Sequence, residues 1–156
     1  MSDNRPIPNQ DVAPPAGFEL IPPYGPFHEL NGPIFGRRTV DDAGTKGAVV
    51  GMWVQEKHRN AGPIMHGGML SMLIDTACTW ACAGVRASGT GSVTTNLSIN
   101  MIGAAYPGDW IEAEVSVSRA GRSVIFLKCA VQARGRRIAD AIAQFQVVDS
   151  AKFNKN

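Results

Sequence analysis

The chain has little net charge. Fifteen Lys and Arg stand against thirteen Asp and Glu, leaving +2 at neutral pH, and no five or six like charges run together. That excludes the electrostatic footprint of a nucleic-acid binder. The densest basic cluster, "RGRR" at residues 134–137, reads as a solvated hairpin turn. No stretch reaches 18 apolar residues, so no segment is expected to span a bilayer. The opening "MSDNRPIPNQD" lacks an apolar signal core, so no secretory leader and a cytoplasmic location are expected. Cysteine is sparse, three in all, an odd number in no metal-ligand spacing. Cys78 and Cys82 would lie one helical turn apart on apolar surface and are expected as buried free thiols. His58 and His66 have no third ligand in a recognised spacing, so no metal or other cofactor is expected.

What remains is one domain of 156 residues, enough to bury a core. Most of the prolines fall in residues 1–33. Proline fixes φ and removes a donor, so this segment is expected as an arm or irregular cap, touching the domain through Phe18, Leu20, Ile21 and Phe27. A domain at 34–150 and a tail at 151–156 follow. Two strands are expected between residues 34 and 55, the better one "AVVGMWVQ" at 48–55.

Then comes "GPIMHGGMLSMLIDTACTW", residues 62–80. Gly67 and Gly68 open a helix and Gly84 closes it. Its apolar residues lie all round, so it must be buried all round. Beyond it the period changes from 3.6 to 2. Four half-buried strands are expected, at 92–101, 110–118, 124–134 and 138–148. "RAGR" at 119–122 and "RGR" at 134–136 are short enough for hairpins, so those neighbours run antiparallel. "GAAYPGD" at 103–109 is long enough to cross over. The economical packing is α+β, an antiparallel sheet of about six strands wrapped around one long helix. A single sheet of that size cannot cover the helix on all sides; a second subunit or the arm must cover the rest.

Asp75 is the lone carboxylate in that helix. Burying an unpaired carboxylate costs several kcal/mol or raises its pKa. Two readings stand: a structural Asp bonded to a Ser, Thr or backbone group, with Thr76 and Thr79 near, and a general base or nucleophile in a cleft. His66-Gly67-Gly68 likewise reads as a tight turn capped by His66. It also reads as an anion or oxyanion site at the positive end of the helix, with glycines admitting another molecule to the backbone. Gly67 and Asp75 are eight residues apart, about 12 Å along a helix axis. A base and an oxyanion donor for one carbonyl must each lie about 3 Å from it. If both act, they come from different subunits, and the site lies at a dimer interface.

The stretches "HRNAGPIMHGGMLSMLIDTACTWACAG", "TTNLSINMIGAAYPGD" and "SRAGRSVIF" resemble the hotdog-fold acyl-CoA thioesterases of the PaaI-like type, over roughly residues 47–148. The pattern Asn-x5-His-Gly-Gly-x6-Asp carries the likeness. The resemblance implies a sheet wrapped round a central helix, homodimers joined through edge strands into one sheet, and dimers paired into homotetramers. It implies that Asp75 activates water or attacks the thioester, and that the Gly67 N–H, beside Gly68, polarises the carbonyl. It places Asn60 near the carbonyl or water and has His66 support the turn and the thioester. It calls for a hydroxyl on the next strand to hold the water. Thr94 fits best, with Ser92 and Asn96 read on the same strand face. Apart from Asp75 and this hydroxyl, these groups would come from the opposite subunit. Arg119 and Arg122 are candidates for coenzyme A phosphates, or a solvated hairpin tip. The sequence departs from the family at Ala104, where proline is common, and in the arm. Hydrolysis of a small, medium or aryl acyl-CoA is the function implied. A hotdog hydratase or dehydratase would pair a catalytic His with an acid at a different spacing, which is not found. A non-catalytic acyl-CoA sensor would not need Asp75.

Overall fold

The computed structural model describes residues 12–152; the start of the arm and the end of the tail lie outside the described residues. The elements run β1 (Glu19–Leu20), α1 (Pro26–Asn31), β2 (Phe35–Val40), β3 (Lys46–Trp53), α2 (Gly67–Ala83), β4 (Thr90–Met101), β5 (Trp110–Ala120), β6 (Val124–Ala133) and β7 (Arg136–Asp149), with short 3-10 turns at Glu56–His58 and Ser150–Lys152. One antiparallel sheet of seven strands has the order β1-β2-β3-β5-β6-β7-β4. The six expected strands are β2 to β7. The seventh is a two-residue piece of the proline-rich segment, which also forms α1.

The inner faces follow the predicted alternation. Ile111, Ala113, Val115 and Val117 of β5 lie beside Leu127, Cys129, Val131 and Ala133 of β6, and Ala139, Ala141, Ala143 and Phe145 of β7 complete the wall. All are buried, and all turn toward α2, since residues directly opposite in a sheet share a face. The β6–β7 hairpin closes on Arg134 and Gly135, both at positive φ (52° and 70°). That is the backbone a two-residue loop needs to match strand twist. Loop 103–109 does cross over, from the outer strand β4 to β5 in the middle of the sheet.

Two expectations change. The alternation in β4 does not run through: the register against β7 shifts between Thr94 and Asn96. One inserted residue reverses which face every later side chain takes. Thr94 lies opposite Phe145 and Ser92 opposite Val147, on the helix side. Asn96 lies opposite Gln144, on the outer face. Leu97, Ile99 and Met101 then return to the helix side, opposite Ala143, Ala141 and Ala139. Asn96 therefore does not share a face with Thr94, and the alternative it offered falls. The second change concerns α2, which its own chain covers almost completely. Met69, Leu70, Met72, Leu73, Ile74, Thr76, Ala77, Cys78, Ala81 and Cys82 are buried. Ile21 helps, packing with the Trp80 ring over Gly36, where a Cβ would stand 2.8 Å from each. Besides Gly67 and Trp80, what stays half-exposed is a stripe at one-turn spacing: Ser71, Asp75 and Thr79.

Gly84 does end α2, with ordinary right-handed φ (−80°). Its missing side chain makes room for Arg38, whose Nη1 would lie 2.9 Å from a Cβ there. That guanidinium stacks 3.8 Å over the Trp80 ring and donates to the Trp80 carbonyl. A cation there also suits the negative end of the helix. Cys78, Cys82 and Cys129 are free and buried.

Candidate active site

The site is built from the start of α2 and its exposed stripe. His66 is the N-cap: its Nδ1 accepts from the Gly68 N–H at 2.8 Å, and its carbonyl accepts from Met69 at 2.9 Å. With Nδ1 accepting, the ring proton sits on Nε2, and the exposed ring presents a donor outward. A Cβ on Gly68 would lie 2.9 Å from His66 Nδ1. Gly68 is thus required by the cap, and its N–H is already in use. Gly67 differs. Among the described residues its N–H has no acceptor, as expected of the first residue of a helix. The thioether of Met101 lies against it, 3.2 Å from where a Cβ would be. Ser71 Oγ donates back to the Gly67 carbonyl at 2.9 Å.

Two turns on, Asp75 is half-buried in the open stripe rather than enclosed by apolar neighbours. Thr94 Oγ1 donates to Asp75 Oδ1 at 2.7 Å, while Oδ2 has no partner among the described residues. Thr76 is buried and leans on the Met72 sulfur at 3.9 Å; the threonine that bonds Asp75 is Thr94. Ser92 shares the helix side of β4 but lies near Cys82, two turns past Asp75.

Asn60 stands in the loop before α2. Its Oδ1 accepts from the Gly62 N–H at 2.7 Å and its N–H donates to the Ile64 carbonyl at 2.9 Å. This Asx turn holds the loop shape and leaves Nδ2 as a donor. The loop is pinned to α2 through His58, whose carbonyl accepts from His66 N–H at 2.8 Å. His58 is 2 % exposed. Its Nδ1 accepts from Gln55 N–H at 3.0 Å and its Nε2 donates to the Asn31 carbonyl at 3.1 Å. Burial, then the Lys57 charge, pushes its pKa down to about 4. It is therefore a neutral strut.

The structure brings Asn60, His66, Gly67 and Gly68 together at one end of α2, and Asp75 with Thr94 at its middle. Within one chain Gly67 and Asp75 stay eight residues, about 12 Å, apart along the helix axis. Arg119 and Arg122 are exposed on the β5–β6 hairpin and join neither group. They do lie at the level of Asp75. Thr94 pairs with Phe145, Phe145 with Ile125, and Ile125 with Ala120. That row spans three strand spacings, about 14 Å. The sequence reading missed Met101, which covers Gly67; it stood only as one apolar member of a strand pattern. Among the described residues no three His, Cys, Asp or Glu side chains converge as metal ligands. No helix among them is long and apolar enough to cross a membrane.

Comparison with known proteins places this arrangement. A sequence profile of the thioesterase superfamily matches residues 62–139, the run that holds α2 and most of the sheet. A Pseudomonas aeruginosa protein named "Putative esterase PA0474" is 32% identical over 133 residues, spanning 85% of this chain and 96% of its own length. The Escherichia coli PaaI protein from the phenylacetic acid degradation operon superposes with a TM-score of 0.61, at 24% identity over 65% of this chain and 72% of that one. A Streptococcus pneumoniae protein described as a "Hypothetical Thioesterase Protein", solved with coenzyme A, gives 0.63, at 22% identity over 73% of this chain and 86% of that one. At those identities the likeness is one of fold, and the fold is the hotdog arrangement that the motifs imply.

Proposed function

The chain belongs to the thioesterase superfamily and is a thioester hydrolase; we propose that it hydrolyses a small, medium or aryl acyl-CoA to the free acid and coenzyme A, at a site shared between two copies. One observation carries this reading. Asp75 is an accessible helix carboxylate with one oxygen held by Thr94 at 2.7 Å and the other open. That is the arrangement a base or nucleophile needs, oriented and unspent. Acyl transfer also needs a donor for the developing oxyanion. The open Gly67 N–H at the positive end of α2 is suited to it, and Asn60 Nδ2 and His66 Nε2 present donors beside it. Because 12 Å separates the two halves, the Gly67 that serves Asp75 belongs to a second subunit.

In this reading the thioester carbonyl sits between the partner's Gly67 and Asp75. As a base, Asp75 Oδ2 takes a proton from water, whose oxygen forms the new bond to carbon. As a nucleophile, Asp75 forms that bond itself, and water then cleaves the resulting anhydride. In both routes the C–S bond breaks and the thiolate leaves, with its charge neutralised by a proton. Single turnover in heavy-oxygen water labels Asp75 only in the second. Arg119 and Arg122 are assigned to the coenzyme A phosphates on charge and level. The coenzyme A held by the pneumococcal neighbour supports the leaving group proposed.

Coenzyme A release from an acyl-CoA panel tests the reading. Asp75→Ala should lose about 10²- to 10⁴-fold in kcat while still binding coenzyme A. A dimer mixing Asp75→Ala with Asn60→Ala chains should recover part of the activity, because one of its two sites is intact. Full activity of Asp75→Ala would end the proposal; proven heterodimers without rescue would end the shared site.

A further inference from the structure

We propose that Met101 is an oxidation site that controls the donor at the start of α2. Converted to the sulfoxide by hydrogen peroxide, its side chain gives the Gly67 N–H an acceptor and closes the place a thioester oxygen must take. The effect on turnover rests on Gly67 serving as the oxyanion donor, as proposed above; the effect on the amide does not.

Geometry puts the thioether on the donor. The Met101 sulfur stands 3.2 Å, and its methyl carbon 3.4 Å, from where a Cβ on Gly67 would be. That Cβ position and the amide nitrogen are bonded to the same Cα, so an atom carried on this sulfur is delivered to the amide. The three rotatable bonds of methionine allow the final adjustment. Among the described residues the Gly67 N–H has no acceptor. A thioether accepts only weakly, so reduced Met101 covers the donor without using it. The sulfoxide is polar, and its oxygen is a hydrogen-bond acceptor.

Access selects the same residue. Of the methionines described, Met101 is 47% exposed, whereas Met52, Met65, Met69 and Met72 are each 9% exposed or less. A shared site preserves this access. Gly67 has to be reached by a thioester, so the side chain lying on it is reached by the much smaller peroxide. The other sulfurs compete poorly. Peroxide attacks the thiolate of cysteine, in proportion to its exposure. Cys78, Cys82 and Cys129 are buried. A hydrogen bond with Cys129, then burial, raises the Cys78 thiol, and burial pushes Cys82 up to about 11.

The step balances without a cofactor. A sulfur lone pair attacks one peroxide oxygen, the O–O bond breaks and the S–O bond forms. The proton on the transferred oxygen passes to the departing hydroxide, which leaves as water. Sulfur is oxidised by two electrons and the peroxide is reduced by two. Sulfoxide reductases, one for each sulfoxide epimer, restore the thioether, with a dithiol supplying the electrons and the oxygen leaving as water.

The test titrates the full chain with hydrogen peroxide. It reads peptide masses, coenzyme A release and the Gly67 amide signal by NMR. Met101 should gain one oxygen before the buried methionines and the thiols. Turnover should then fall about 10²- to 10³-fold, as when one oxyanion donor is lost. The Gly67 amide proton should move downfield, and the reductases should reverse both changes. Met101→Leu, close in volume, should keep under peroxide whatever turnover it starts with. Met101→Gln carries a carbonyl at the sulfur position and should be slow with no oxidant present. Undiminished hydrolysis with Met101 oxidised overturns the proposal. So does an equal loss in Met101→Leu, or a Gly67 amide that does not move. If the untreated protein hydrolyses no acyl-CoA, the thioesterase reading fails alone. The amide signal then decides whether oxidised Met101 occupies Gly67.

Discussion

Asp75 and Asp109 are both helix-flanked or turn-flanked carboxylates near apolar residues, and they have opposite fates. Asp109 is 2% exposed. Its Oδ2 accepts from the Tyr106 N–H at 2.9 Å and its Oδ1 pairs with Arg134 Nε; the same guanidinium lies 5.4 Å from the Tyr106 ring centre. Both oxygens are spent on joining the crossover loop to the β6–β7 hairpin. Asp75 is half-buried, with one oxygen held and the other open. Two of the three histidines divide the same way. His58 uses both ring nitrogens inside the protein, whereas His66 uses one and presents the other. Asp75 and His66 thus keep an unused polar atom on an ordered frame, whereas Asp109 and His58 keep none.

The largest effects should separate the two carboxylates. Asp75→Asn should reduce kcat by about 10²- to 10⁴-fold and change unfolding free energy by no more than about 0.5 kcal/mol, as for surface substitutions. Arg134→Met keeps the aliphatic stem but removes the charge beside Asp109. It should cost about 3 kcal/mol of stability, the scale of a buried pair broken from one side, while the folded fraction keeps its kcat. Denaturant titration and coenzyme A release on the same preparations check both. A destabilised Asp75→Asn, or a stable but inactive Arg134→Met, would reverse the comparison.

The strut half of the comparison also has a pH signature. The folded pKa of His58, about 4, lies below the ordinary 6.5, so between these values the unfolded chain binds the extra proton. Stability from this group is complete above about pH 6.5 and falls as pH drops toward 4, by about 3 kcal/mol at most. His58→Gln should be less stable at pH 7 and should lose most of the slope between pH 6.5 and 4. An unchanged slope would mean that other groups carry the acid sensitivity.

Much of this was legible from residues, and the rest was hidden for identifiable reasons. β5, β6 and β7 alternate cleanly over long runs, so their inner faces could be read directly. β4 could not be read to its end, because nothing distinguishes the inserted Thr95 from Thr94; hydrophobicity places Asn96 wrongly, and only pairing with β7 corrects it. The proline-rich segment concealed α1, since Pro26 at the helix start is compatible with a helix but reads as a breaker among so many prolines. Asp109 stood only as the last residue of the "GAAYPGD" loop, because its partner Arg134 is 25 positions away in a cluster that reads as solvated. Asp75 was legible because a carboxylate in an apolar helix demands an account. That account changed in one respect: the stripe around it is open, so Asp75 is half-exposed and held by Thr94 rather than enclosed.

The smallest expected effect falls on the cap that orients His66. A Cβ at residue 68 would stand 2.9 Å from His66 Nδ1 and 3.1 Å from its Cε1, so in Gly68→Ala the ring must turn away and the first-turn bond is lost. Losing such a cap costs about 1 kcal/mol, and replacing glycine by alanine in a helix returns roughly as much. Unfolding free energy should therefore move by less than about 1 kcal/mol. Turnover should not escape, because the imidazole no longer holds its Nε2 donor at the mouth of the site; displacements of this size cost up to roughly 100-fold. Denaturant unfolding beside coenzyme A release reads both quantities. A Gly68→Ala protein with normal turnover would move His66 from the unfinished side of the comparison to the finished one, leaving it a cap alone, with Asp75, Thr94 and the partner's Gly67 to carry the chemistry.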